Sequence, residues 1–292
     1  MDINTFATRE IPLDEFPNWS PWPKRLLGLE EWDIPERTEE KVDSEYDKDE
    51  YLRCANFAKE QNTKDADEVR AFEFKLQERD SICVSSLGKL YELPADQIMP
   101  ADNQLLLEIM QPLMEEADTV VEIGCGYGIN LWELNKNFPD KTYIGGEYSQ
   151  NAIDLAGMLY ADHSNINVEH CNFYDDAYNI LEKCPADSKV VLFTRHAIEQ
   201  LPSAEKVIQT LSKYFDRLIA VVHMEPVIEN CKETLFDLMR KRYAEINDYN
   251  RDLLSLVQNN KGMEVIRNDY DVYGVSPFNP TTVLVWKPAQ KQ

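Results

Sequence analysis

The run Val120-Val121-Glu122-Ile123-Gly124-Cys125-Gly126-Tyr127-Gly128 has the makeup of a nucleotide-type cradle. It ends a short apolar strand with glycines at alternate positions. Glycine lets backbone approach a ligand closely and turn with positive φ. The residues that follow, Ile129-Asn130-Leu131-Trp132-Glu133-Leu134, have helical spacing, so the turn opens a helix whose amide dipoles face the ligand. A dinucleotide fingerprint G-x-G-x-x-G counted from Gly124 needs its last glycine at Ile129. The spacing is instead G-x-G-x-G, with Glu122 just before it.

At these residues the chain resembles the class I S-adenosylmethionine (SAM)-dependent methyltransferases, whose first motif commonly reads E/D-x-G-x-G-x-G. The downstream spacing agrees. Thr142-Tyr143-Ile144-Gly145-Gly146 reads as a second strand ending at Glu147, where a carboxylate can accept from a ribose hydroxyl pair. Glu147-Tyr148-Ser149-Gln150-Asn151-Ala152-Ile153 matches the family pattern D/E-x-S-x-x-x-I/L, with Ser149 as a helix N-cap. A third strand, 166–171, leads to Asn172-Phe173, where the family usually has Asp. A fourth, 189–193, leads to Thr194-Arg195-His196-Ala197-Ile198-Glu199-Gln200-Leu201, which resembles the segment beneath the methyl donor. The resemblance implies SAM as cofactor, with contacts at Glu122, Gly124, Cys125, Gly126, Gly128, Glu147, Tyr148, Asn172, Phe173 and Thr194. Tyr51 and Arg70 are further candidates, for the cofactor's carboxylate.

In a parallel α/β sheet, ligands lie outside the carboxyl ends of the strands. The ends of the fourth and fifth strands carry Thr194-Arg195-His196 and His223-Met224-Glu225, so half of the chain's 4 histidines fall there. Methyl transfer from a sulfonium is an in-line displacement, and a hydroxyl or ammonium acceptor must also lose a proton. Neutral imidazole suits that task. His196, His223 and Glu225 are the expected catalytic residues, with His196 as general base for an O-methylation. Two histidines and a carboxylate could also hold a divalent ion. Arg195, Tyr249 and Asn250 are expected at the substrate; Asn250 could equally cap a helix.

The formal charge of −23 is extreme for 292 residues. Such a surface repels phosphates, so the expectation is a small polar metabolite as substrate, with no nucleic acid and no membrane as partner. A protein methyltransferase acting on a basic chain, or a non-catalytic scaffold, are the alternatives. A homodimer is possible. The cysteines, 6 in all, are scattered without C-x-x-C, and Met1-Asp2-Ile3-Asn4 starts no secretory signal; both suggest a cytoplasmic protein with reduced thiols.

Residues 1–100 read as an N-terminal cover: a Pro/Trp-rich acidic arm, with Trp19, Trp22 and Leu26 laid over the core between Pro12 and Pro35, then a helical stretch from 48 to 115. Residues 101–292 read as the SAM-binding domain. The fold expected is α/β, a Rossmann-like seven-stranded mostly parallel sheet with helices on both faces. A helical insertion at about 227–262, broken at Asn247-Asp248-Tyr249-Asn250, precedes two final strands, the last inserted antiparallel.

Overall fold

A computed structural model of the chain describes residues 1–33, 38, 41, 44–185 and 187–289. Pro35, one end of the expected arm, lies outside the described residues. In the cover, β1 (Arg9–Ile11), β2 (Ser81–Ser86) and β3 (Lys89–Pro94) make an antiparallel sheet in the order β1-β3-β2. The large sheet comprises β4 (Thr119–Ile123), β5 (Thr142–Glu147), β6 (Ile166–His170), β7 (Val190–Arg195), β8 (Leu218–Glu225), β9 (Met263–Tyr273) and β10 (Thr281–Pro288). Its order is β6-β5-β4-β7-β8-β10-β9. The pairs from β6 to β8 are parallel, and β10 lies antiparallel between β8 and β9.

β4 is buried along its whole length, which is why its sequence is a continuous apolar run around Glu122 rather than an alternation. Its side chains alternate between two cores. Val120 packs on the side of Leu105, Leu131 and Leu155, from helices Ile98–Met114, Ile129–Asn137 and Gln150–Leu159. Val121 and Ile123 pack on the side of Ile180, Val207 and Leu253, from helices Asn179–Glu182, Glu205–Leu211 and Leu253–Asn259. The connection from β4 runs toward β5 and β6, whereas β7 returns to β4's other edge. That reversal opens a crevice at the carboxyl ends of β4 and β7.

The cover departs from the expected helical stretch. Helices Leu52–Gln61 and Ala66–Glu73 form, but the β2–β3 hairpin interrupts before the helix at Ile98. Its turn is Leu87-Gly88, both at positive φ (52° and 81°), the conformation that matches strand twist in a two-residue hairpin. The arm packs on the inserted helix Leu235–Ile246: Trp22 meets Tyr243 edge-on at 4.6 Å, and Phe16 lies 5.9 Å from Phe236.

Arg240 fastens that helix to the rest. Its side chain is fully buried; Nη1 donates to Asp237 Oδ1 and Asp271 Oδ2, each at 3.0 Å, and Nε donates to the Pro277 carbonyl at 2.8 Å. Asp271 also accepts from Ser85 Oγ at 3.0 Å and from the Gly88 amide at 2.6 Å, so one carboxylate joins inserted helix, β9 and cover hairpin. Replacing Arg240 with Met leaves two buried carboxylates without their cation, and urea denaturation should show a loss of about 3–5 kcal/mol. A loss under about 1 kcal/mol would show that the ion pairs are not the fastening.

Candidate active site

The crevice at the ends of β4 and β5 is lined by Gly124, Glu147, Tyr148, Ser149, Cys171, Asn172 and Phe173 on the sheet side. Tyr46, Asp47 and Tyr51 come from the cover, and Tyr174, His196, Ala197, Gln200, Leu201 and Pro202 complete the wall. Gly124, Gly126 and Gly128 all hold positive φ (73°, 55° and 80°), so the turn needs glycine at each. A Cβ on Gly124 would clash with Ala197 and crowd the Phe173 ring at 3.3 Å, and one on Gly126 would stand 2.7 Å from the Tyr51 hydroxyl. The cradle is shaped by bare backbone, as a closely held nucleoside requires. Gly128 is the N-cap of helix Ile129–Asn137.

Glu147 closes the cradle. One carboxylate oxygen accepts from the Gly126 amide at 2.7 Å; the other accepts from the Tyr148 and Ser149 amides, each at 2.9 Å. Burial pushes its pKa up, and those three backbone donors oppose the rise. A carboxylate has about four acceptor positions, so a ribose hydroxyl still finds one. Glu122 lies fully buried under the turn. Its Oε1 accepts from Asn130 Nδ2 at 2.7 Å, Oε2 has no partner among the described residues, and burial raises its pKa to about 8. Cys125 is buried and its thiol faces Gly145, so only its backbone belongs to the turn. The bare turn, the buried carboxylate and the aromatic walls fit an adenosyl cofactor.

The cover is latched onto this site. Asp47 Oδ1 accepts from Ser149 Oγ at 2.6 Å and from the Asn151 amide at 2.9 Å, and Asn151 Nδ2 donates to the Asp47 carbonyl at 3.1 Å. Tyr51 stands beside Gly126. Arg70 does not reach the crevice; it is spent on Asp102 and Asn103.

At the far wall, His196 sits at φ 50° with its side chain 35% exposed. Nδ1 is 3.1 Å from Glu199 Oε2 and Nε2 is 2.8 Å from Thr281 Oγ1. Burial disfavours a charged imidazole there, but the Glu199 carboxylate, with Glu225 beyond it, outweighs that and holds the ring above its ordinary pKa.

Several expected site residues lie elsewhere. His223 is wholly buried; its Nδ1 is 3.0 Å from Thr194 Oγ1, its Nε2 accepts from Trp286 Nε1 at 3.0 Å, and burial lowers its pKa to about 3. It is a neutral core histidine, and Thr194 is its partner instead of a cofactor contact. Glu225, 1% exposed, accepts from the Ala197, Ile198 and Glu199 amides at 3.0, 3.2 and 3.3 Å. It braces the turn that carries His196 and orients no substrate. Arg195 pairs with Asp102 and donates to Asn130 Oδ1 at 3.0 Å, behind the glycine turn. Tyr249 is buried against Tyr243. Asn250 Oδ1 accepts from the Asp252 and Leu253 amides at 3.2 and 3.1 Å, and its own amide donates to the Glu199 carbonyl at 3.0 Å. It satisfies open backbone donors at the helix break from two residues ahead of the N-cap, which is Asp252. Among the described residues no group of three or more His, Cys, Asp or Glu side chains could hold a metal ion. Sequence reading missed Glu199, which stands three residues past His196, and Thr281, whose distance along the chain gave no signal.

Glu147→Ala should weaken SAM binding by about 1–3 kcal/mol in calorimetry, through lost charged hydrogen bonds; unchanged affinity would contradict this placement. A pH effect follows from the raised carboxyls. Glu122 and Glu225, near about 8 and about 7 when folded, sit near ~4.3 when unfolded. Between those values the folded chain holds more protons than the unfolded chain, so stability falls as pH rises. The thermal midpoint of the ligand-free protein should decline from pH 5 to 8, and less steeply in Glu122→Gln.

A methyltransferase domain family model matches residues 95–267. A tRNA (guanine-N(7)-)-methyltransferase of Shewanella sp. (strain W3-18-1) is 30% identical over 145 residues, covering 46% of this chain and 58% of that protein. One of Pseudoalteromonas atlantica is 30% identical over 160 residues, covering 49% and 65%. This chain thus spans less than two thirds of these relatives' length. Among solved structures, geranyl diphosphate C-methyltransferase from Streptomyces coelicolor A3(2) aligns at 12% identity over 67% of this chain and 81% of that one, TM-score 0.47. Magnesium protoporphyrin IX methyltransferase from Synechocystis PCC 6803 aligns at 12% identity over 67% and 87%, TM-score 0.47. The relatives' names correct the expectation of a small-molecule substrate and no nucleic acid. Net charge sums over a whole surface and does not fix the field at one crevice; this crevice is rimmed mainly by rings and amides. No helix among the described residues is long and apolar enough to cross a membrane. With the glycine cradle, the sheet order and the matched domain in agreement, the chain belongs to the methyltransferase domain family.

Proposed function

We propose that this chain transfers the methyl group of SAM to a nucleobase nitrogen of an RNA. The observation that carries the reading is the lining of the crevice: Tyr46, Tyr148, Phe173 and Tyr174 stand together on it, the kind of ring-rich surface on which a splayed base stacks. Tyr148 and Tyr174 are 39% and 50% exposed, so their rings reach the mouth. The relatives named for a tRNA guanine nitrogen support it over the matched segment.

The chemistry suits the charges. The sulfonium's positive charge passes to the methylated ring as the carbon–sulfur bond breaks. His196 lines the crevice, and a neutral imidazole there sets no charge against the one that arrives. A protonated His196 repels the charge that arrives. Activity should therefore rise with pH as His196 loses its proton, with a midpoint above the ordinary ~6.5 of histidine. Glu199→Gln removes the group that raises it, so the ascending limb should move to lower pH. An unmoved limb assigns it to another group. The general-base role for His196 toward an oxygen acceptor fits less well, since Glu199 and Thr281 engage both ring nitrogens.

The test is labelled SAM with unmodified tRNA transcript, followed by nucleoside mass spectrometry. The expected product is a methylated base. Label absent from every nucleoside overturns the reading. Because the chain carries −23, the initial rate should increase with added monovalent salt at low ionic strength, as screening weakens the repulsion between two polyanions. A rate that falls steeply with salt would point to a basic docking surface instead.

A further inference from the structure

We propose that the segment Tyr46–Tyr51 is a strap across the cofactor crevice, that Asp47 is its catch, and that cofactor enters and leaves while the catch is undone. The inference rests on the adenosyl-cofactor reading of the crevice and not on the RNA acceptor.

The strap touches the same two elements that Glu147 joins. Its Tyr51 hydroxyl would stand 2.7 Å from a Cβ on Gly126, at the end of β4. Its Asp47 carboxylate takes the Ser149 hydroxyl and the Asn151 amide, beyond the end of β5. Asn151 Nδ2 donates to Asp47 Oδ2 at 3.1 Å as well as to the Asp47 carbonyl. Glu147 accepts from the Gly126 amide on one side and from the Ser149 amide on the other. A ligand that reaches Glu147 lies beneath this span, with Tyr46 and Tyr51 among its walls.

What fastens the strap is polar. It is one turn of π-helix with none of its residues buried, a geometry that occurs mostly as single turns and often at functional sites. Firm packing begins directly after it, where helix Leu52–Gln61 buries Cys54, Ala55 and Ala58. A segment with few buried apolar side chains opens at low cost while the packed helix behind it stays in place. The opposite bank is firm as well: helix Gln150–Leu159 buries Ala152, Leu155, Ala156 and Leu159. The amides at its start are shared out, that of Ser149 to Glu147, that of Asn151 to Asp47 and that of Ala152 to the Ser149 hydroxyl. Asp47 is thus an anion at a helix start, where negative charge is stabilised. Undoing the catch exchanges these hydrogen bonds for bonds to water, so the closed and open forms differ by little. Asp47 acts through the strap and is a positioning residue.

The test uses the full chain and S-adenosylhomocysteine, with association and displacement followed by stopped-flow fluorescence. Asp47→Ala should raise the association rate constant by about fivefold or more and the release rate constant by about 10-fold or more, because the open form is the one that exchanges. Loss of a contact alone would speed release and leave association unchanged. Asn151→Ala, which keeps its backbone donor, should move both rates the same way by less, and the double variant should add nothing to Asp47→Ala. In the unaltered chain, hydrogen exchange at the amides of Tyr46–Tyr51 should slow by about 10-fold on adding S-adenosylhomocysteine, while the Leu87-Gly88 turn is unaffected. That measurement needs no substitution and decides the matter if Asp47→Ala does not fold. An association rate that is unchanged or lower in Asp47→Ala, single effects that multiply in the double variant, or strap amides indifferent to the ligand each overturn the catch. No saturable binding to the unaltered chain in calorimetry removes the cofactor reading and the catch with it; saturable binding with unchanged rates removes the catch alone.

Discussion

The far wall of the active site depends on one buried carboxylate. Glu225, at the end of β8, gathers the amides of Ala197, Ile198 and Glu199. Those amides open the short turn Ile198–Gln200, too short to satisfy its own donors. With its amides gathered, the turn holds His196 at φ 50° and sets His196 and Gln200 on the crevice wall. The arrangement has a cost. Burial and the neighbouring Glu199 charge raise Glu225's pKa to about 7, so the carboxyl is poised between charged and neutral near cellular pH.

The near wall rests on a similar device. Glu147 gathers the amides of Gly126, Tyr148 and Ser149, tying the glycine turn to the start of the next helix. At both walls a carboxylate organises backbone donors and leaves the ligand-facing groups fixed. That is preorganisation of the kind displacement chemistry rewards, since alignment accounts for much of the rate. It also explains why acidic residues concentrate at the strand ends without making the crevice a simple anion-repelling pit: their oxygens are already occupied.

Much of the fold was legible in the sequence because each signal was local. The glycine turn, Glu147 at the second strand's end, the Ser149 cap and the break at Asn247–Asn250 declare themselves within a few residues. The inserted antiparallel β10 followed from the family pattern. The catalytic wall was harder. His223 and Glu225 sit at a strand end, as ligand-facing residues do, yet the alternation of β8 turns both inward, and which face a strand end presents is set by sheet packing. The partners that decide His196, Glu199 and Thr281, come from the far side of one turn and from β10; only the first was within reach of a spacing argument. The β2–β3 hairpin was missed because its turn opens with leucine at positive φ, where glycine or asparagine would have signalled it.

The latch at Asp47 sets a condition on turnover. Tyr46 and Tyr51 roof the cofactor crevice, and the segment bearing them is pinned to Ser149 and Asn151, which belong to the opposite bank. A nucleoside under those rings is covered by a strap that hydrogen bonds of one carboxylate fasten to the domain. Asp47 thus does two things at once, lining the crevice and holding down its roof.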